Sequence, residues 1–183
     1  MSLALKNIAT ELTQHEPKCG SVRVITIDGP AGSGKTTLAS ALSMTLGQCP
    51  IVTMDDVYEG WDLGLSDQTF QRVIEQVLLP LREHGTARYE KFDWHQKKFN
   101  SWIAIPPSKF LILDGVGSGH PLLRSFVNLS LWVEADVDLL LNRVLNRDGQ
   151  EIREEMLRWQ QHEKQFFNRH KIRESADYIF STS

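Results

Sequence analysis

Cysteine is scarce in this sequence. Cys19 and Cys49 are its only two, and they form no CxxC pair and no Cys/His cluster. That excludes a disulfide framework and a structural zinc site, and it predicts two reduced thiols in a cytoplasmic protein. Long apolar runs are also missing: none approaches the roughly 18 residues of a membrane span. The N-terminal Met-Ser-Leu-Ala-Leu-Lys-Asn-Ile is broken by polar residues, so it lacks the core of a secretion signal. There is no basic excess either. Twenty Lys and Arg face 23 Asp and Glu, for a net charge of −3, which argues against a general nucleic-acid binder. Neither a membrane nor a nucleic acid is expected as partner. Repeats, low-complexity tracts and dividing linkers are absent too, so residues 1–183 read as one domain.

What the chain does have is alternation of short apolar runs with helical patterns. Residues 3 to 14 place Leu5, Ile8, Ala9 and Leu12 on one face, an amphipathic helix within an N-terminal segment 1–20. Buried strands are predicted at 22–27, 51–54, 110–113, 129–133 and 178–180. Helices are predicted at 38–46, from Ser66 or Asp67 through Leu78, at 137–144 and at 152–167, with Pro80 kinking or ending the second. Residues 55–66 read as a loop, and 86–107 as a small hairpin or extended excursion. Strands alternating with helices predict an α/β fold with a mostly parallel sheet.

One motif carries chemistry outright. Gly29-Pro30-Ala31-Gly32-Ser33-Gly34-Lys35-Thr36, followed by Thr37, matches G-x-x-x-x-G-K-[ST] in full, with a strand before it and a helix after. The glycines let backbone N–H groups close around an anion at a helix N-terminus. Lys35 brings a positive charge to the β- and γ-phosphates, and Thr36 offers its hydroxyl to Mg²⁺. Asp114, at the end of a buried strand, is the expected second support for the metal. ATP and Mg²⁺ are therefore the expected cofactors.

Four strands end in an acid: Asp28, Asp55, Asp114 and Glu134. Ligands of open α/β sheets bind beyond those strand ends. Asp28 reads as a loop brace and Glu134 as structural. The pair Asp55-Asp56 is placed to supply the carboxylate that takes or orients an acceptor hydroxyl proton, either acid serving. Arg143 and Arg147 share a helix face, and a guanidinium suits a moving phosphoryl group. Trp61 and Trp94 stand in polar surroundings, where they either stack a flat ring or pack a satellite core.

Taken together, the P-loop, Asp55-Asp56-Val57-Tyr58, Phe92-Asp93-Trp94 and Arg147-Asp148 before a long helix resemble the uridine kinase family over about residues 22–180. That resemblance implies a three-layer α/β/α sandwich, with a five-stranded mostly parallel sheet, the P-loop strand in its middle and a short helical lid. It implies Asp55 as the catalytic carboxylate, Tyr58 in the acceptor pocket, Asp93 on sugar hydroxyls, and Arg147 and Arg153 in a lid at 147–153. Trp61 would add to the aromatic wall of the acceptor site. The lid is shorter than that family's and lacks its Arg-Gly-Arg, and Asp114-Gly115 stands where the family has Glu-Gly. The expected activity is transfer of the γ-phosphoryl of Mg-ATP to the hydroxyl of a small-molecule acceptor, with a nucleoside as the first candidate. The alternatives are a nucleoside monophosphate or other metabolite kinase, or an NTP-hydrolysing or ATP-sensing protein without an acceptor.

Overall fold

A computed structural model describes residues 3–183. Five strands form one parallel sheet: β1 (Arg23–Asp28), β2 (Ile51–Thr53), β5 (Phe110–Asp114), β6 (Val127–Ala135) and β7 (Tyr178–Thr182), in the order β2-β5-β1-β6-β7. The P-loop strand β1 is thus central, as the resemblance implies. Side-chain alternation divides the core between the two faces of the sheet. Ile25, Ile27 and Ile112 point toward α1 (Leu3–Gln14) and α2 (Lys35–Thr45), against Leu5, Ile8, Leu12 and Leu42. Val24, Leu111 and Leu113 point the other way, toward α4 (Asp67–Val73), α5 (Leu79–His84) and α7 (Arg153–His170). The helix α6 (Val137–Asp148) follows β6 and contributes Val144 to the second face.

One segment differs from expectation, and two others take one of the forms the sequence left open. Residues 55–66 are not a continuous loop: a 3-10 turn covers Met54–Asp56, and the short α3 spans Gly60–Leu63. Pro80 does not end its helix. Proline has no N–H to give Gln76, and the chain absorbs this with a π-turn at Ile74–Leu78, after which α5 continues to a left-handed cap at Gly85. The excursion at 86–107 is a regular antiparallel hairpin of β3 (Ala87–Asp93) and β4 (Lys98–Ile105), separate from the main sheet. No helix among the described residues is long and apolar enough to cross a membrane.

Parallel register places the C-terminal ends of the strands along one edge. Asp114 lies level with Ile27 on one side and Thr53 on the other. The P-loop, the Asp55 turn and Asp114 therefore share one crevice, flanking the point where the connections switch sides of β1.

Candidate functional site

The phosphate loop is built by close backbone approach. Gly29 and Gly32 have φ of 142° and 83°, and a Cβ on either would stand 2.0 Å from the Val133 carbonyl or 2.3 Å from the Leu140 carbonyl. Only glycine allows the loop to lie this tightly on β6 and α6. The Lys35 amine, 8% exposed, donates to the carbonyls of Gly29 at 2.8 Å and Pro30 at 2.9 Å. It is thereby folded over the cradle that its charge serves. On the outer side, Thr182 donates to the Ser33 carbonyl at 2.8 Å, and Arg143 donates to the Thr182 hydroxyl at 3.0 Å. A cavity of about 470 Å³ opens there between Gly34, Thr37, Leu38, Arg143 and Phe180. The N-terminus of α2 aims its dipole into this corner.

Thr36 and Asp114 meet, as the motif predicts. The Thr36 hydroxyl donates to Oδ2 of Asp114 at 2.9 Å. The other oxygen, Oδ1, is buried without a hydrogen-bond partner. Burial raises the pKa of Asp114, while the Thr36 hydrogen bond and the Lys35 charge oppose the rise. A buried carboxylate oxygen left unpaired beside a hydroxyl is a donor set that fits a hard divalent cation. Among the described residues no group of three or more His, Cys, Asp or Glu is arranged to hold a metal. A P-loop Mg²⁺ does not need one, because it takes few protein ligands and fills its shell from phosphates and water.

The choice between the two neighbouring acids follows from their partners. Asp56 is tied to the hairpin: Lys91 stands 2.9 Å from one oxygen, and the Tyr89 hydroxyl donates to the other at 3.0 Å. The Asp55 carboxylate has no hydrogen-bond or ion-pair partner among the described residues, and only its backbone carbonyl is held, by the Trp94 indole at 3.1 Å. Its pKa is raised, foremost by the protein crowded around it. The Lys35 and Arg147 charges lower it, and the Asp114 and Asp56 charges raise it further. Solvent also reaches Asp55 in the crevice, and that contact tempers the rise.

Asp28 is a loop brace, as expected. Its carboxylate accepts from Gly29 at 2.7 Å, Gly117 at 3.0 Å and Gly119 at 2.8 Å, so it couples the P-loop to the turn after β5. Burial nevertheless pushes its pKa up to about 6. Glu134 is structural, accepting from Arg173 at 2.7 Å and Trp132 at 3.0 Å.

The remaining expectations divide. Arg147 is drawn into the electrostatics of the crevice, since it and Asp55 stabilise each other's charge, and its guanidinium is also gripped in two hydrogen bonds of 2.6 Å by Asp148. Arg153 is exposed at the start of α7, with no hydrogen-bond or ion-pair partner among the described residues. Tyr58 is not a pocket wall. Its ring is 2% exposed and packs on Trp159, and its hydroxyl is used up on the Val116 carbonyl. Asp93 does not face a crevice, because its carboxylate closes the hairpin turn, accepting from His95 and Gln96 amides and the Asn100 side chain. Trp61 packs edge-on against both Trp94 and Trp159, a small aromatic cluster in which Trp159 is buried and the other two are partly buried. Beside it Trp61 and Trp159 wall a second cavity of about 370 Å³ with Asp62, Glu155, Arg158 and His162.

Two residues escaped the sequence. His120 is 4% exposed and stacked on Phe70 at 4.0 Å, its pKa lowered to about 4 by burial. Glu163 is 3% exposed and sits under the P-loop, where the Ala31 N–H donates to it at 3.1 Å. Its signal was there to see: Glu163 interrupts the stripe of Met156, Trp159, Phe166 and Phe167 that α7 buries.

Comparison with known proteins agrees with this geometry. Residues 25–168 match the family described as AAA domain. The uridine kinase of Schizosaccharomyces pombe is 28% identical over 151 residues, 73% of this chain and 33% of that protein. The uridine kinase of Borrelia duttonii is 23% identical over 139 residues, covering 69% of this chain and 68% of that one. The chain therefore spans about a third of the yeast relative's length and about two thirds of the bacterial one's. A solved structure described as a possible uridine kinase from Bacillus stearothermophilus superposes with a TM-score of 0.67 at 20% identity, over 96% of each chain. Another, provisionally described as a fructose transport system kinase from Silicibacter, reaches 0.68 at 17% identity, over 98% of this chain and all of that one. Both establish the P-loop kinase fold.

Proposed function

Because this chain belongs to the AAA domain family of P-loop proteins and is similar in sequence to uridine kinases, we propose that it is a kinase that moves the γ-phosphoryl group of Mg-ATP to the hydroxyl of a small-molecule acceptor. One observation carries the reading: a carboxylate without a partner, Asp55, beside a P-loop whose lysine, threonine and supporting acid are all present. A sensor without chemistry has no use for such a group, whereas a kinase needs one to take or orient the acceptor proton, and dependence on an acceptor separates it from a hydrolase that would aim the carboxylate at water.

In this mechanism the P-loop amides and Lys35 hold the β- and γ-phosphates, Lys35 giving up its bonds to Gly29 and Pro30 to do so. Thr36 and Asp114 would hold Mg²⁺, which would supply neutralising charge to the phosphates. Asp55 accepts the proton of the acceptor hydroxyl as that oxygen attacks. Its raised pKa suits the task, since a base with more affinity for the proton takes it more readily. Arg147, in electrostatic reach of Asp55, steadies charge on the group in transit. Arg153, exposed and unpaired, is the second lid cation.

The acceptor is a hydroxyl compound such as a nucleoside, as in the relatives named uridine kinase. Two cations that would otherwise suit a phosphorylated acceptor are already engaged, Lys91 with Asp56 and Arg88 over the Trp102 ring. Lys97 and Lys98 beside them are exposed, so a nucleotide stays the second candidate. The test is ADP release from Mg-ATP against a panel of nucleosides, nucleotides, sugars and vitamin alcohols, with Lys35→Ala as control. Acceptor-dependent release that vanishes in the variant supports the proposal; release that is indifferent to every acceptor counts against it.

A further inference from the structure

Glu163 is an acid that the phosphoryl transfer above does not use. It stands on α7, ten residues beyond Arg153, and directs both carboxylate oxygens at the Ala31 N–H of the P-loop, 3.3 and 3.1 Å away. The groups that face it are Lys35 from α2, Asp28 from the end of β1, Tyr58 from the segment after β2, and the Trp159 indole one turn back on α7. One lysine is thus the charge partner of three buried acids, Asp28, Asp114 and Glu163, and of Asp55 as well, and its amine protons are already given to the Gly29 and Pro30 carbonyls. Burial pushes Glu163 up to about 7, with Lys35 and the Ala31 amide pulling it back.

Resting on the reading that nucleotide phosphates occupy this loop, we propose that Glu163 is a positioning residue that couples nucleotide binding to proton uptake. As a carboxylate it clamps the free loop through Ala31. Arriving phosphates bring negative charge to the same cradle and draw Lys35 toward themselves. Both changes disfavour a second negative charge underneath, so Glu163 takes a proton from the solvent. The neutral acid still accepts from Ala31 through its carbonyl oxygen, and the loop stays in place.

The experiment is calorimetric titration of Mg-ADP in buffers of different ionisation enthalpy, which needs no acceptor. In the wild type, binding at pH 7 takes up roughly half a proton, and affinity falls about five-fold from pH 6.5 to 8. In Glu163→Gln, which keeps an oxygen for Ala31, both effects disappear and binding at pH 8 is tighter than in the wild type. Infrared difference spectra of the wild type, taken with and without Mg-ADP, give the same answer without a variant, through the appearance of a protonated carboxyl band. Binding with no buffer dependence, uptake unchanged in Glu163→Gln, or no Mg-ADP binding at all overturns the proposal. Proton-coupled binding without any acceptor phosphorylation upholds it and removes only the kinase reading.

Discussion

At the scale of single residues, the proposed chemistry turns on the difference between Asp55 and Asp56. Asp56 is spent on Lys91 and Tyr89, and Asp55 is free. Asp55→Asn is therefore expected to lower kcat by about 10²- to 10⁴-fold while nucleotide affinity holds. Asp56→Asn should instead loosen the hairpin and leave the chemical step largely intact. Stopped-flow or steady-state kinetics beside a nucleotide titration separate the two. The pH profile adds a check. A base works only when ionised, and the pKa of Asp55 is raised, so kcat/KM should fall as pH drops through a value above the ordinary carboxylate range. A wild-type profile flat through that range would speak against Asp55 as base. Legibility at this scale tracked locality. Lys35 and Thr36 lie within one motif, and Asp114 ends an apolar run, so all three could be read directly. Glu163 and Asp28 act on residues 132 and up to 91 positions away, and only the fold brings those together. Tyr58 and Asp93 were placed by resemblance, which fixes a position in the chain but not the direction of a side chain.

At the scale of elements, the sheet was legible because a buried parallel strand is a short apolar run with no polar face to blur it. All five strands were found, with shifts of a residue or two at most ends. The short helices were not: α3 has four residues, too few for a periodic signal. The π-turn at 74–78 follows from Pro80, yet sequence alone left a kink and a stop equally open. The β3–β4 hairpin gives this scale its prediction. Its turn depends on Asp93, whose carboxylate is held below the usual range by the Gln96 amide first and the Asn100 side chain next. Asp93→Ala should speed hydrogen exchange of the hairpin amides and leave the acceptor KM unchanged. A KM raised several-fold with the hairpin still protected would return Asp93 to the acceptor site.

At the scale of the whole molecule, the crevice is a product of topology. The order β2-β5-β1-β6-β7 sets the P-loop strand between β5 and β6 and brings the acids at or just beyond four strand ends, Asp28, Asp55, Asp114 and Glu134, to one edge. α7 then spans from Arg153 to the underside of the loop, and Thr182 at the end of β7 clasps the loop from outside. A ligand in that crevice binds elements from the whole length of the chain, so it should stabilise the fold as a unit. Mg-ADP at a hundred times its Kd should add about 2.7 kcal/mol and raise Tm by about 5–10 °C. Lys35→Ala at the same concentration should show little of that shift in differential scanning calorimetry. The central claim, that this crevice transfers a phosphoryl group to an acceptor hydroxyl with Asp55 as its base, meets its most direct test in one side-by-side assay. ADP release at saturating Mg-ATP is measured with and without the best acceptor, in wild type and in Asp55→Asn. The account predicts acceptor-dependent release in the wild type and its collapse in the variant, with nucleotide still bound. Equal acceptor-dependent rates in the two proteins would contradict it.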